Sequence, residues 1–321
     1  MNYTPPFTIT TNIINLISQI SLNIGKLEAI DSKLELPMLR KVNQIKTITG
    51  TLQIEGNSLD EERITALIEG KRVLGKVDEI AEANGAIALY KELETLHYKQ
   101  QNDLLKAHKI LMGELLNKAG NYRTSDVGVG GKDGVVHIAP PHRHIPKLIQ
   151  QLFDWLDATQ EHPLIVSSVF HYEFEFIHPF IDGNGRMGRF WQSLILYSWN
   201  QYFSIIPIES IIRDKQQNYY KVLEICGSEG ESTKFIEFIL ESILEAIDKV
   251  GNKDGNKVGN LTDNQKLILE HIKQDNTISA AKLTDAVGIS KRKIEENLVK
   301  LKDKGLLVRV GGTRGYWEII K

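Results

Sequence analysis

The twelve residues HPFIDGNGRMGR, His178 to Arg189, stand between two apolar helical runs, PLIVSSVFHYEFEFI (163–177) and RMGRFWQSLILYSWN (186–200). DGNG suits a tight turn and not a helix interior. Glycine permits positive φ and lets backbone N–H groups approach a ligand closely. A helix beginning at about Asn184 to Arg186 aims its unpaired N–H groups and the positive end of its dipole at the same spot, a field that favours phosphate. Arg186 and Arg189, three apart, project from one face of that first turn and can grip further phosphate oxygens, so a triphosphate fits better than a single phosphate. Asp182 beside such a nest repels phosphate unless a divalent ion lies between, and Mg²⁺ characteristically takes one or two carboxylates plus phosphate oxygens and water. His178 precedes a proline that ends its helix, and its side-chain type is the one in the stretch suited to taking a proton near neutral pH. Singly, each of these residues reads as structure. Together within twelve positions they point to a nucleotide, Mg²⁺ and a base, which means phosphoryl or nucleotidyl transfer.

The rest of the chain is compatible with a cytoplasmic enzyme. Its 321 residues allow two or three domains and an ample core. Net charge of −2, with 25% charged and 41% hydrophobic residues, argues against a whole-chain nucleic-acid or membrane binder. The lone Cys226 excludes an internal disulfide and fits a reducing compartment as a small buried apolar residue. No basic n-region opens the N-terminus, and no apolar run of about eighteen residues occurs, so a cytoplasmic location without membrane contact is expected.

Apolar residues at three- and four-residue spacing predict helix over 13–48, 60–116, 145–158, 163–177, 186–200, 209–226 and 232–249. One interval differs: VGVGGKDGVVHIAPPHRH, between Arg123 and Ile145, reads as a β-hairpin set among helices. KVGNKDGNKVGN (249–260) has linker composition and predicts a boundary at about 249–261. Beyond it, 262–321 reads as helix, helix, turn at Gly288, helix and Gly-Gly hairpin, the pattern of a winged helix-turn-helix. That tail carries 12 Lys and Arg against 8 Asp and Glu, leaving the remainder acidic, so DNA contact through the tail is a modest expectation.

HPFIDGNGRMGR resembles the Fic motif, HPFx(D/E)GNGRxxR, at every specified position. The resemblance implies a mainly α fold: a Fic-type helical bundle with a β-hairpin flap, here with a C-terminal winged helix-turn-helix domain. The implied organisation is an N-terminal helical region (1–110) with an inhibitory helix at about 45–58, a catalytic core (111–248) with its flap at about 124–145, the linker, and the domain 262–321. The implied reaction moves AMP from ATP to a Ser, Thr or Tyr hydroxyl of a target protein. His178 would deprotonate the hydroxyl, Asp182 would hold Mg²⁺, and Gly183, Asn184 and Gly185 would cradle the phosphates. Arg186 and Arg189 would bind the outer phosphates and stabilise departing pyrophosphate.

By the same resemblance the hairpin is a flap whose edge Val135, Val136, His137, Ile138 and Ala139 docks a target segment, which an exposed strand can do through main-chain hydrogen bonds. TLQIEGN (51–57) is similar to the (S/T)xxxE(G/N) inhibitory helix of Fic proteins that carry their own brake. Thr51 and Glu55 share a helix face, with Gly56 close to the helix end. There Glu55 would pair with Arg189, competing with the γ-phosphate for the guanidinium fork. GNYR (120–123) and RDKQQNYYKVLE (213–224) carry weaker likeness, which puts Tyr220 near the adenine. A homodimer is expected by resemblance alone, and self-modification stays open. Two alternatives stay open: removal of AMP at the same site with Glu55 orienting water, and a DNA-binding regulator whose Fic-like domain senses nucleotide, with Ser290, Lys291, Arg292 and Lys293 facing DNA.

Overall fold

The computed structural model describes residues 3–30, 36–131, 134–250, 261–303, 306–311 and 315–319. In chain order the helices and strands are α1 (Thr11–Ile30), α2 (Leu36–Ile54), α3 (Glu61–Ile68), α4 (Val77–Lys91), α5 (Gln101–Met112), β1 (Gly128–Gly131), β2 (Gly134–Ile138), α6 (Ile145–Ala158), α7 (Pro163–Ile177), α8 (Asn184–Trp199), α9 (Ile208–Asp214), α10 (Gln216–Glu229) and α11 (Thr233–Lys249). They continue with α12 (Asp263–Gln274), α13 (Ala280–Val287), α14 (Lys291–Asp303), β3 (Leu307–Val310) and β4 (Tyr316–Ile319). Contacts divide the chain into two compact units, Met1–Ala29 with Asn43–Ile247, and Ile30–Val42 with Asp248–Lys321.

The first unit is built around α7. Pro163, with φ preset for a first helical turn, starts it, and the His162 ring accepts the Leu164 N–H at 3.2 Å as a cap. Its faces are apolar almost all round, the composition of a central helix, and every residue from Leu164 to Phe174 is buried. The serines there donate to the Leu164 carbonyl, Ser168 at 2.8 Å and Ser167 at 3.2 Å, so the core holds no stranded hydroxyl at these positions. α8 packs against α7, and fully buried Trp191 sits 6.2 Å from both Phe170 and Phe153. Amphipathic α6 covers this core with Ile149, Leu152, Phe153 and Leu156. The turn between α7 and α8 is therefore held by two largely buried helices that pack on each other.

β1 and β2 form an antiparallel pair with Gly128 opposite Ile138 and Gly131 opposite Gly134, and the register shifts between Val129 and Gly130. β2 lies beside α10. This is the hairpin expected between Arg123 and Ile145; its tip, 132–133, and the side chains of Val135, Val136, His137 and Ile138 lie outside the described residues. Ala139, just past the strand, is buried.

The second unit has helices α12, α13 and α14 followed by the β3–β4 hairpin, in which Leu307 faces Ile319 and Val310 faces Tyr316. Thr262 and Gln265 form a reciprocal cap on α12. Ile268, Leu269, Ile272, Leu283, Ile294 and Leu301 make its core, against which Leu39 packs. Trp317 closes it, donating to the Ile278 carbonyl at 3.0 Å and carrying the Arg309 guanidinium 4.7 Å and the Lys302 amine 5.3 Å from its ring centre. The expected linker, over 251–260, lies outside the described residues.

Several long helical runs of the sequence are divided. The run 60–116 is three helices, α3 to α5, and 209–226 is α9 and α10 separated at Lys215. The apolar period persists because successive helices turn a buried face to one core, so periodicity does not register a short break. The partition placed at 110 also differs from the two units, because α5 runs through that position and 30–42 groups with the C-terminal elements. Among the described residues no helix is long and apolar enough to cross a membrane.

Gly50 sets the closeness of α2 to α9. A Cβ there would lie 2.8 Å from the Glu209 carbonyl carbon and 2.8 Å from the Ser210 nitrogen, both backbone atoms. Gly50→Ala is expected to cost about 1–3 kcal/mol, the range for overpacking a tight interface. A thermal melt checks this, and an unchanged Tm contradicts it.

Candidate active site

α7 ends at Ile177, and His178 follows with φ 50° and ψ 61°, the only non-glycine residue of positive φ among the described residues. The left-handed step breaks the helix while the His178 N–H still donates to the Phe174 carbonyl at 2.9 Å. The imidazole Nδ1 is turned back to α7, 3.4 Å from the Glu175 carbonyl oxygen and 3.9 Å from its Oε2. With Nδ1 carrying the hydrogen toward that carbonyl, Nε2 is the basic nitrogen.

The loop after His178 is fixed from several sides. Phe180 stacks on His108 with ring centres 3.7 Å apart and planes 4° from parallel. Gly120 N–H donates to His108 Nδ1 at 2.8 Å, so Nε2 carries the hydrogen and donates to the Asp182 carbonyl at 3.0 Å. Burial lowers the His108 pKa from its ordinary value, which suits that neutral form. Asn184 uses its side chain on the Phe180 peptide, accepting its N–H and donating to its carbonyl, both at 2.9 Å. Its amide therefore locks the loop, leaving the backbone N–H as its group able to face a phosphate. Gly183 has φ 82°, and a Cβ there would meet the Met112 sulfur at 2.9 Å. α8 begins at Asn184, within the range its sequence predicts, so the first-turn N–H groups face the loop.

Both arginines are buried and both are held by carboxylates. Arg189 donates through Nε to Thr51 Oγ at 2.9 Å, and through Nη2 to Glu55 Oε1 at 2.6 Å and the Thr51 carbonyl at 3.2 Å. Burial works against its charge, and Glu55 foremost outweighs that, so it stays cationic. Arg186 Nη1 lies 3.1 Å from Glu82 Oε1, and its Nη2 lies 3.4 Å from Asp182 Oδ1. Glu82 in turn accepts from Asn57 at 2.8 Å, two residues past Glu55.

The predicted residues of the loop lie at one place with Thr51 and Glu55, while the side chains of Val135 to Ile138 lie outside the described residues, and two points differ from the sequence reading. Glu55 and Gly56 lie in the turn after α2, not on the helix, because α2 ends at Ile54 and Gly56 takes φ 88°. Thr51 and Glu55 nevertheless share a partner, since Glu55 N–H and Asn57 N–H both still donate to the Leu52 carbonyl. Tyr220 is half exposed and gives its hydroxyl to the Ile54 carbonyl at 3.2 Å, placing it beside the end of α2. Sequence reasoning did not single out Glu82, His108 or Glu175. Glu82 is a hundred positions from Arg186 and carries no local signal; Glu175, one helical turn before His178, was legible from spacing.

Among the described residues no group of three or more His, Cys, Asp or Glu side chains is placed to hold a metal ion. Asp182, largely exposed, offers one carboxylate at the loop. That donor set fits a Mg²⁺ whose coordination is completed by phosphate oxygens and water.

Behind Arg189 lies a neutral buried layer. His171 is pushed down to about 3 by burial, bonded through Nδ1 to Gln192 and through Nε2 to the Tyr219 hydroxyl at 3.1 Å. Burial lifts the Glu175 carboxyl to about 8, opposed by Arg189 and reinforced by Glu55, and its Oε1 has no hydrogen-bond partner.

The helical scaffold presents a glycine-rich, arginine-flanked loop between α7 and α8, with a histidine at the loop's start. Residues 98–196 match the Fic/DOC family. A Fic family protein from Desulfovibrio desulfuricans G20 is 38% identical, with 99% of this chain and 98% of that one covered and a TM-score of 0.75. The chain belongs to the Fic/DOC family, and its mainly helical fold is the Fic fold with a small C-terminal two-stranded hairpin. It is distantly related to proteins named protein adenylyltransferase Fic: that of Drosophila ananassae is 28% identical over 242 residues, covering 69% of this chain and 46% of the relative, and that of Culex quinquefasciatus is 29% identical over 229 residues, covering 68% and 43%. The chain thus spans less than half the length of these curated relatives. C. elegans Fic-1 (residues 134–508) shares the fold at 21% identity and a TM-score of 0.61, over 76% of this chain and 74% of that one.

Glu175 gives the site a pH signature. Its carboxyl binds a proton more tightly folded, at about 8, than a free glutamate at about 4.3, so this contribution to stability is full below the lower value and is lost as pH rises through the upper one. Glu175→Gln removes the slope. Between pH 5.5 and 7.5 the unmodified protein is expected to lose up to about 1.4 kcal/mol per pH unit more than the variant in urea unfolding. Equal losses in both proteins contradict the assignment.

Proposed function

We propose that the protein is an autoinhibited adenylyltransferase that moves AMP from ATP to a Ser, Thr or Tyr hydroxyl of a target protein. The observation that carries the reading is the buried Arg189 guanidinium, two residues of the same chain, Thr51 and Glu55, occupying the fork that an outer phosphate needs.

In the reaction, His178 Nε2 takes the proton of the target hydroxyl as its oxygen attacks the α-phosphorus. The bond from that phosphorus to the oxygen bridging the α- and β-phosphates breaks, and pyrophosphate leaves with the electron pair. Arg186 and Arg189 hold the departing charge, and the first-turn N–H groups of α8 position the phosphates. Asp182 would hold Mg²⁺, which supplies charge neutralisation for the phosphates when bound. The strand edge Val135 to Ala139 would line up the target by main-chain bonds. The reading takes the protein to act in the cytoplasm, on a target bearing a hydroxyl or on itself, and the family resemblance favours a homodimer.

Removal of AMP is the second reading. It draws support from the Glu55 side chain, 31% exposed, which can present an oxygen to water while Arg189 holds it. We read the second unit as a winged helix-turn-helix from its order of elements. A role chiefly in DNA binding draws less support, because Lys291 and Arg292 on α14 pair with Glu295 at 3.9 Å and Glu296 at 2.9 Å.

The test is incubation of the unmodified protein, Glu55→Gly and Glu55→Gly/His178→Ala with α-labelled ATP and Mg²⁺, following label on protein. Labelling by Glu55→Gly is expected to exceed the unmodified protein by at least about tenfold, equivalent to ~1.4 kcal/mol, and to vanish in the double variant. Absence of label on any protein or lysate while ATP still binds overturns the transferase reading in favour of AMP removal.

A further inference from the structure

Arg123 sits outside the twelve-residue motif and is almost completely buried. Its donors are spent on backbone. Nε donates to the carbonyl of His178 at 2.8 Å, Nη1 to the carbonyl of Ser125 at 2.8 Å and Nη2 to the carbonyl of Pro140 at 2.6 Å. Its own N–H donates to the Pro179 carbonyl at 2.9 Å. The one carboxylate near it, Asp126, lies 3.9 Å from Nη1 and is mainly occupied with His142, accepting its backbone N–H at 2.7 Å.

The three side-chain acceptors belong to three separate segments. Ser125 precedes β1 and Pro140 follows β2, so they are the two roots of the hairpin. The third is the carbonyl of the base itself, in a left-handed conformation that a residue with a Cβ rarely adopts and that persists only where its surroundings over-determine it. Arg123 bonds both peptides that leave His178 and Pro179. A planar fork with donors in fixed directions can serve three carbonyls at once; an ammonium on a flexible stem cannot reproduce that geometry.

The geometry points to Arg123 as a positioning residue for the transfer reaction, one that holds His178 in its left-handed pose and ties both roots of the target-docking hairpin to the base. A target strand laid on the hairpin is thereby delivered in register with His178, because strand roots and base hang on one guanidinium. The three guanidinium nitrogens of Arg123 are engaged with backbone carbonyls, so its loss is felt in turnover and not in nucleotide binding. The inference rests on the transferase reading for its kinetic part alone.

The test uses the full chain in the Glu55→Gly background with Arg123→Lys and Arg123→Ala. Turnover of label transfer is expected to fall about thirtyfold to a hundredfold, the scale of an ångström-sized misplacement, while ATP affinity by calorimetry changes by less than about threefold. Millimolar guanidinium ion is expected to restore part of the turnover in Arg123→Ala by filling the vacated site. Independently of activity, the ring signals of ¹³C-labelled His178, assigned by comparison with His178→Ala, are expected to shift in both Arg123 variants. Undiminished turnover, an equal loss of ATP affinity, or unmoved His178 signals each overturn the inference. If Glu55→Gly transfers no label at all, the transferase reading fails, and the His178 signals still decide whether Arg123 positions the base. If Arg123→Ala does not fold, Arg123→Lys carries the test.

Discussion

Buried Arg189 is paired with a carboxylate of its own chain, whereas buried Arg123 is served by backbone carbonyls. Arg189 lies inside the protein at the start of α8, and its charge is tolerable there because a carboxylate stands 2.6 Å away. The partner is not another residue of the phosphate loop but Glu55, which arrives from the end of α2 together with Thr51. This contact makes α2 part of the site, and Gly50 is the point where α2 comes close enough to α9 to deliver it. Neutral surroundings complete the arrangement. Burial raises the pKa of the Glu175 carboxyl and lowers that of the His171 ring, so Glu55 is the foremost charge facing Arg189. Glu55 and Thr51 occupy the fork that, on the proposed reading, an outer phosphate would need. Arg186 follows the same logic, with Glu82 and Asp182 as its present partners.

The second constraint is the left-handed step at His178. It ends α7 without a glycine, swings the chain into the glycine-rich turn, and is held by bonds from Arg123 while His108 and Asn184 fix the residues that follow. The loop is accordingly tied by side-chain bonds at several points, and preset backbone N–H groups are the kind that stabilise charge well. The hairpin shares this anchorage through its roots, so β1, β2 and His178 are parts of one hydrogen-bonded frame.

Much of this was legible in the sequence because the chemistry is local. HPFIDGNGRMGR places a base, a carboxylate, glycines and two arginines within reach of one another whatever the surrounding fold, and a proline and glycines mark its helix boundaries. The Thr51–Glu55 spacing was equally readable, although the helix stops one residue before Glu55, where the left-handed Gly56 begins its turn. What escaped depends on distant pairing. Glu82 meets Arg186 through the packing of α4, and nothing in its neighbourhood of sequence distinguishes it from a solvated helix acid. The inward turn of Asn184 and the position of Tyr220 at the end of α2 are settled by tertiary contacts that composition and periodicity do not encode. Breaks such as that at Lys215 are hidden because consecutive helices keep one apolar face on a common core.

The account turns on Glu55 and a polyphosphate competing for Arg189. Its most direct test is calorimetric titration of a non-hydrolysable ATP analogue with Mg²⁺ into the unmodified protein and into Glu55→Gln. The account predicts that removing the charge of Glu55 tightens binding by at least about tenfold, or ~1.4 kcal/mol. Equal affinity in the two proteins would show that the Glu55–Arg189 pair does not obstruct the nucleotide, and would contradict it.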